Sequence, residues 1–542
     1  MINYKQLFNM KIEEAYTKRI ALHIAAGKCR KVDMEVEGYP NRKSVNKQLN
    51  NIVHDSMFTR SLTLFNHSSY NNIYPLSDLM LDRFCFQILT SIHHKIKWID
   101  VEVSSMKRIL SANYPILSGL GIYNIEKDTD LDIFTDETSL MYILKNQISS
   151  LMIESSRKQG RPRDVNTRIF TNILNTFINL QYFMFHSWFS SFQRISFRHL
   201  RPTVFSSTLL ELRVKVSSVD DCLFLLDGRF NQLRAFYVDI GSSLPNSTVK
   251  INKEKLPNLR CFSLYCFSEI RFYDNIIIPL LHRMSNLEEL ALYLSSVVCD
   301  KKFIDGNNLK QNIIDYMPEL NQFRFSIHST ILLKDQIDLP SNEDIKHSFK
   351  DFSNNKIISC VNYFFEAKYG QCHIYSCPYL IPTYENISNN FPGGLFRYVS
   401  DVSLFDEHPF EYEFFIQIAQ SFPFLKNLTI TNQKGQNNKQ YRKSNNNNED
   451  FLLIRYPHLK YLHFKQTHND YIEQFLLDTK TCLPYDILLF TDFKSLQRVT
   501  HNFTRNATRI NCSKMRYICF DRISRFPKHF KNYFLDTEIH VL

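Results

Sequence analysis

The stretch LPNLRCFSL, residues 256–264, decides the fold. Its Pro257 stops a helix, and its apolar skeleton Leu259-x-x-Phe262-x-Leu264 alternates as a half-buried strand does. The skeleton recurs at Leu287, Leu290 and Leu292, at Leu320, Phe323 and Phe325, at Leu425, Leu428 and Ile430, and at Leu459, Leu462 and Phe464. A proline stands just ahead of several copies: Pro115, Pro257, Pro318, Pro423 and Pro457. A periodic series of this kind implies a solenoid, because one helix–strand unit cannot bury its apolar face alone and must stack on a neighbour.

Working outward, the first anchor of each cassette falls at residues 96, 117, 148, 180, 209, 233, 259, 287 and 320, and the series resumes at Val399, Leu425, Leu459, more loosely Tyr485, and Met515. Residues 330–395 break the rhythm and hold either degenerate repeats or an insertion. Helical patterns fill the intervals: Ser77 caps LMLDRFCFQIL, Asp274 caps IIIPLLHRM, and Ser341 with Asp344 forms a capping pair. Gly306 to Met317, Phe410 to Phe422 and Asp470 to Leu477 behave alike. The expected fold is therefore α/β, a horseshoe of helix–strand units with a parallel sheet, spanning residues 77–542 and preceded by a short helical segment. The low-complexity tract 433–450 reads as a mobile loop.

Composition fits a sizeable core: 45 Phe and 28 Tyr stand against only 12 Gly in 542 residues. A net charge of +11 is modest for this length and favours acidic partners only weakly. No apolar run approaches a membrane span, and the first thirty residues carry no apolar signal block, which points to the cytoplasm or nucleus. The 12 Cys lack a framework spacing and read as reduced, buried thiols.

No catalytic, cofactor or metal site is expected. Cys360, Cys372, His373 and Cys377 lack a Cys-x-x-Cys pair. DTDLD at 128–132 lacks the Gly and Glu of a calcium loop, with Ile133 and Ser139 in those places. Phosphate-cradling and nucleophile-elbow strings are missing.

The segment VNKQLNNIVHDSMF, residues 45–58, resembles the second half of an F-box. Val45, Lys47, Leu49, Ile52, Asp55 and Phe58 occupy that motif's places, with Asn46 where Cys is usual and Leu49 where Trp is usual. Its first half, Leu-Pro-x-Glu and a following helix, has no counterpart in residues 1–43, whose role is obscure. Joined to the cassettes, the segment (about 44–62) is similar to the F-box and leucine-rich-repeat family. The resemblance implies an irregular leucine-rich-repeat-like solenoid acting as a non-catalytic substrate receptor of a Skp1–cullin–F-box ubiquitin ligase. Val45, Leu49, Ile52 and Phe58 would then meet Skp1, with cullin beyond it. The Asn or Cys that the usual repeat carries three places after its strand is replaced by Phe267, Ser295, His328, Gln433 and Thr467. A stand-alone interaction scaffold is the alternative, and nucleic-acid binding a third.

On such strands the side chains between the apolar ones face the open, concave side. Those expected to meet a target protein are Glu211, Arg213, Lys215, Tyr237, Asp239, Tyr265, Glu289, Tyr293, Gln322, Arg324, Tyr461, His463 and Lys465.

Overall fold

The structure, a computed structural model, describes residues 59–67, 73–127, 130, 132, 139–155, 164–187, 194–242, 252–271, 273–334, 338–352, 356–437, 453–520, 526–527, 529–534 and 537–541. The F-box-like positions Val45, Leu49, Ile52 and Phe58 lie outside them. The chain divides into two compact units, one running to Val298 and including Asn307–Ile327, the other comprising Cys299–Gly306 and His328 onward. Both are mixed α/β. Among the described residues no helix is long and apolar enough to cross a membrane.

The first unit is built on a large, mostly parallel sheet. Its strands are β1 (Ser61–His67), β2 (Ile73–Pro75), β3 (Trp98–Glu102), β4 (Gly119–Ile125), β5 (Ser150–Ser155), β6 (Tyr182–Ser187), β7 (Glu211–Ser218), β8 (Ala235–Ser242), β9 (Cys261–Cys266), β10 (Glu289–Cys299) and β11 (Gln322–Leu332). From β3 to β11 each strand lies beside its predecessor in sequence, with β1 next to β3 and β2 antiparallel at the edge. Leu259, Phe262 and Leu264 are at most 2% exposed, and the matching residues of β8 and β10 are buried in register beside them. Each such side chain is worth about 1.5–3 kcal/mol when fully buried. The Phe236 and Phe262 rings stack between neighbouring units.

A polar ladder stitches the turns that lead into these strands. The residue just before the anchor reaches back one unit: Gln147 donates to the Tyr114 and Leu117 carbonyls, Asn179 to Asn146 O, Thr208 to Ile178 O and Leu180 O, Asn258 to Asn231 O, and Asn286 to Pro257 O, at 2.7–3.0 Å. The place three positions after the strand, where the usual repeat carries its Asn or Cys, holds no such residue, and the ladder here stands before the strand instead. Two places after Leu264 and Leu292, Cys266 and Leu294 are buried within their strands and prolong the apolar row.

Several boundaries differ from the sequence reading. Thr59, Leu62 and Leu64 are buried in the cassette pattern, and β1 pairs in parallel with β3. The parallel sheet therefore begins before Ser77, and residues 61–62, assigned to the F-box-like segment, belong to a strand. Ser77 stands at the N-cap of the helix Asp78–Arg83 but makes no capping bond. Asp274 lies inside the helical turn Tyr273–Ile277 rather than ahead of it. A capping box that was not anticipated, Ser218 with Asp221, opens the helix Val219–Leu225.

In the second unit, β12 (Ile357–Phe364) and β13 (Tyr369–Ser376) form an antiparallel pair, which accounts for the broken rhythm around 330–395. A seven-stranded sheet follows: β14 (Thr383–Ile387), β15 (Asp401–Phe405), β16 (Asn427–Thr431), β18 (Tyr461–Phe464), β20 (Ile487–Thr491), β21 (Met515–Phe520) and β22 (Glu538–Val541), all parallel. Two short strands, β17 (Ile454–Arg455) and β19 (Thr481–Cys482), pair separately. The cassettes resume at Ile381 and Tyr384, one unit before Val399.

Tyr485 is not an anchor: it is 76% exposed, while Leu483, Ile487 and Leu489 are buried around the positive-φ residue Asp486. Ser341 and Asp344 form the expected capping box for the helix Asn342–His347. The helices Tyr412–Ser421 and Asn469–Leu476 lie where the periodicity put them.

This unit carries its ladder two places after the last strand apolar. Asn389 donates to Asp406 and Asn432 to the His408 carbonyl. The start of the low-complexity tract is also held, with Gln436 donating from its backbone to Asp470 and from its side chain to the Phe410 carbonyl. Only residues from 438 onward within that tract lie outside the description.

Candidate protein-interaction face

The side chains that alternate with the buried rows of the first sheet stand in lateral register. Glu211, Ala235, Cys261 and Glu289 form one row across β7–β10. Arg213, Tyr237, Ser263 and Ala291 form the next, and Lys215, Asp239, Tyr265 and Tyr293 the third. Parallel strands about 4.8 Å apart bring such neighbours into contact. Ten of the expected contact residues are on these four strands and on β11: Glu211, Arg213, Lys215, Tyr237, Asp239, Tyr265, Glu289, Tyr293 and Arg324 are half-buried, and Gln322 is exposed.

The charges on this face are paired with each other. Arg213 bonds Glu211 along its own strand at 2.5 Å and lays its guanidinium over the Tyr237 ring. Asp239 accepts from Arg194 at 2.8 Å and stands 3.9 Å from the Lys215 ammonium. Arg324 lies 3.4 Å from Glu289 and also donates to Gln322. Burial pulls the Lys215 ammonium below its ordinary value, with Asp239 and the buried Glu154 opposing that shift and Arg194 adding to it. Burial likewise pushes the Tyr237 and Tyr293 phenols and the Cys261 thiol up. The Cys261 thiol donates to the Tyr237 hydroxyl at 3.4 Å.

These groups are held in place by contacts within the sheet. Aromatic rings with polar tips, fixed by neighbours, suit protein recognition because little side-chain entropy remains to be lost on binding. The interleaved signs do not make the continuous basic stripe that phosphate backbones require.

No family model matches the chain, and no curated protein does.

Sequence reading missed part of this face. Extending the same phase to β3–β5 finds Trp98, Asp100, Tyr123 and Met152. The Asp100 carboxylate accepts from Thr63, from the Trp98 indole at 2.7 Å and from Tyr123, whose hydroxyl also meets the Met152 sulfur. Gly119 and Gly121 leave the space that Trp98 and Asp100 occupy, since a Cβ there would collide with both. Arg194 has no such signal, because it enters from outside the cassettes through the bridge between Ile195 and Val216.

The remaining expected contacts belong to the second unit. Tyr461 and His463 are on β18, beside Asn427 and Thr429 of β16. Tyr461 is exposed, and the His463 ring leans on Phe490 of β20. Lys465 follows the strand and is exposed. Among the described residues, no group of three or more His, Cys, Asp or Glu side chains is arranged to hold a metal ion. Cys360 and Cys372 are buried free thiols.

Proposed function

We propose that the chain is a non-catalytic protein-recognition subunit. Its helix–strand units are read as irregular leucine-rich repeats, and the open face of β7–β11 as the surface that binds a target protein. Residues 45–58 couple it to the Skp1 adaptor of a cullin-containing ubiquitin ligase. The observation that carries the recognition role is the registered block Arg213, Tyr237, Lys215, Asp239, Tyr265 and Tyr293, an aromatic and charged surface already ordered by its own contacts.

Affinity purification with identification of the captured proteins tests both halves. A target should be captured by the wild-type chain and lost in a Tyr265→Ala, Tyr293→Ala double variant that retains its circular dichroism. Skp1 that binds neither this chain nor a version with a completed F-box rules out the ligase coupling. The second reading, a recognition scaffold without a ligase, is favoured by residues 1–43, which carry no Leu-Pro-x-Glu half. It predicts capture of the same target without Skp1 or cullin.

A further inference from the structure

In the second unit, a small cavity lies between β11, the β12–β13 pair and β14. Its lining includes His328, Asn362, Gln371, His373, Tyr384 and Glu385. The space open to a water-sized sphere is about 10 Å3, on the order of a single water molecule.

The polar inventory of the cavity is unusual. Gln371 is 4% exposed; its side-chain nitrogen is 3.0 Å from His328 Nδ1, and its Oε1 is buried without a hydrogen bond. An orphaned buried acceptor destabilises the fold, so a donor placed there would recover that loss. Asn362 is engaged elsewhere: its oxygen accepts from Ser388 and Asn390, and its nitrogen faces the Cys360 sulfur.

The charge balance is one-sided. The lining holds one carboxyl group, Glu385, and no lysine or arginine. The His328 and His373 rings stack at 3.6 Å, and burial keeps both imidazoles uncharged near neutral pH. Burial alone raises the Glu385 carboxyl to about 7, with no neighbouring cation to oppose it. Cys360, Asn386 and Ser388 also line it, with the rings of Tyr384 and Phe391 and the side chain of Ile387.

We propose that this cavity is a binding site for a primary ammonium group, which donates to the Gln371 side-chain oxygen and pairs with the Glu385 carboxylate. An ammonium head is the size of the water-sized space and carries several donors. Its charge is complementary to the single carboxylate, and aromatic walls favour a cation at their faces. Among the described residues the His, Cys and Glu side chains of the lining form no group of three or more that could hold a metal ion. A quaternary ammonium is too large and donates nothing.

The test uses the full chain at pH 8, where the Glu385 carboxyl is largely ionised. Methylammonium chloride is titrated against tetramethylammonium chloride at matched ionic strength, with binding read by calorimetry and by the NMR signals of the Gln371 side-chain amide. The expected result is saturable binding of methylammonium, at least tenfold tighter than tetramethylammonium, and weakened at least tenfold in Glu385→Gln and in Gln371→Met. The two substitutions lie on different strands, so if one variant misfolds the other still decides. No saturable binding, equal binding of both cations, or unchanged binding in the folded variants overturns the proposal; a cavity that holds only water gives the first of these. Nα-acetyl-lysine amide separates the sources. Binding at least as tight as methylammonium assigns the site to a lysine side chain of another protein, and weaker binding assigns it to a free amine.

Discussion

The Arg213 guanidinium lies 3.8 Å from the centre of the Tyr237 ring, across the gap between β7 and β8. The same guanidinium is bonded to Glu211. The arginine is therefore pinned by a carboxylate on one side and an aromatic face on the other, and its charge is presented to the open side of the sheet in one fixed position. A half-buried cation–π contact of this kind is worth about 0.5–2 kcal/mol. Arg213→Ala should lower stability by no more than about that amount while weakening capture of the target protein. Paired denaturant melts and pull-downs check it. Equal losses of fold and capture would show that the arginine is only structural.

Phe262→Ala in β9 should be far more costly. The side chain is fully buried and stacks on Phe236 of the neighbouring unit. Large-to-small changes of this kind cost about 3–5 kcal/mol. Hydrogen exchange should show the loss concentrated in β8, β9 and β10, because each unit of a stack leans chiefly on its neighbours.

The stitches entering the strands should be measurable one at a time. Asn258→Ala removes a single bond to the Asn231 carbonyl at an exposed turn. A loss of about 0.5–1.5 kcal/mol is expected from equilibrium unfolding, and Asn286→Ala should add to it, since the two donors share no partner.

Acid should destabilise the second unit through its buried imidazoles. Burial pulls His328 down to about 3 and His373 in the same direction, from an ordinary value of 6.5. The unfolded chain takes up protons as pH falls below about 6.5 while the folded chain does not, so this stability is present above that value and lost toward pH 3. A His328→Gln variant should show a shallower loss between pH 6.5 and 4 in melts followed at several pH values.

Glu385 acts with the opposite sign. Its carboxyl is raised to about 7, so the folded state prefers it protonated and is penalised as pH rises from 4.5 through 7. Glu385→Gln should leave stability unchanged at pH 4 and raise it by about 1–3 kcal/mol at pH 8, from the penalty for ionising a half-buried carboxyl. Thermal melts at those two pH values decide it.

The cassette skeleton was legible because burial demands it: Leu259, Phe262 and Leu264 alternate in sequence as they alternate in the sheet, and the same phase placed Arg213, Tyr237 and Tyr265 on the open side. The phase failed where the backbone departs from it. At Asp486 a positive-φ residue adds one position between Leu483 and Ile487, so counting from Tyr485 put an exposed ring in an anchor's place. Arg194 reaches Asp239 from a segment with no periodicity, and the cavity around Gln371 is assembled from β11, β13 and β14, residues that only tertiary structure brings together. Ser77 shows a further limit. A residue with the right chemistry in the right place can leave its bond unmade.

In every stitch of the first unit, from Gln147 to Asn286, the acceptor is a main-chain carbonyl, which any amino acid provides. A unit therefore asks its predecessor for backbone geometry and for no particular side chain at that turn. At that turn a helix–strand unit can thus change its own side chains without a matching change in the one before it.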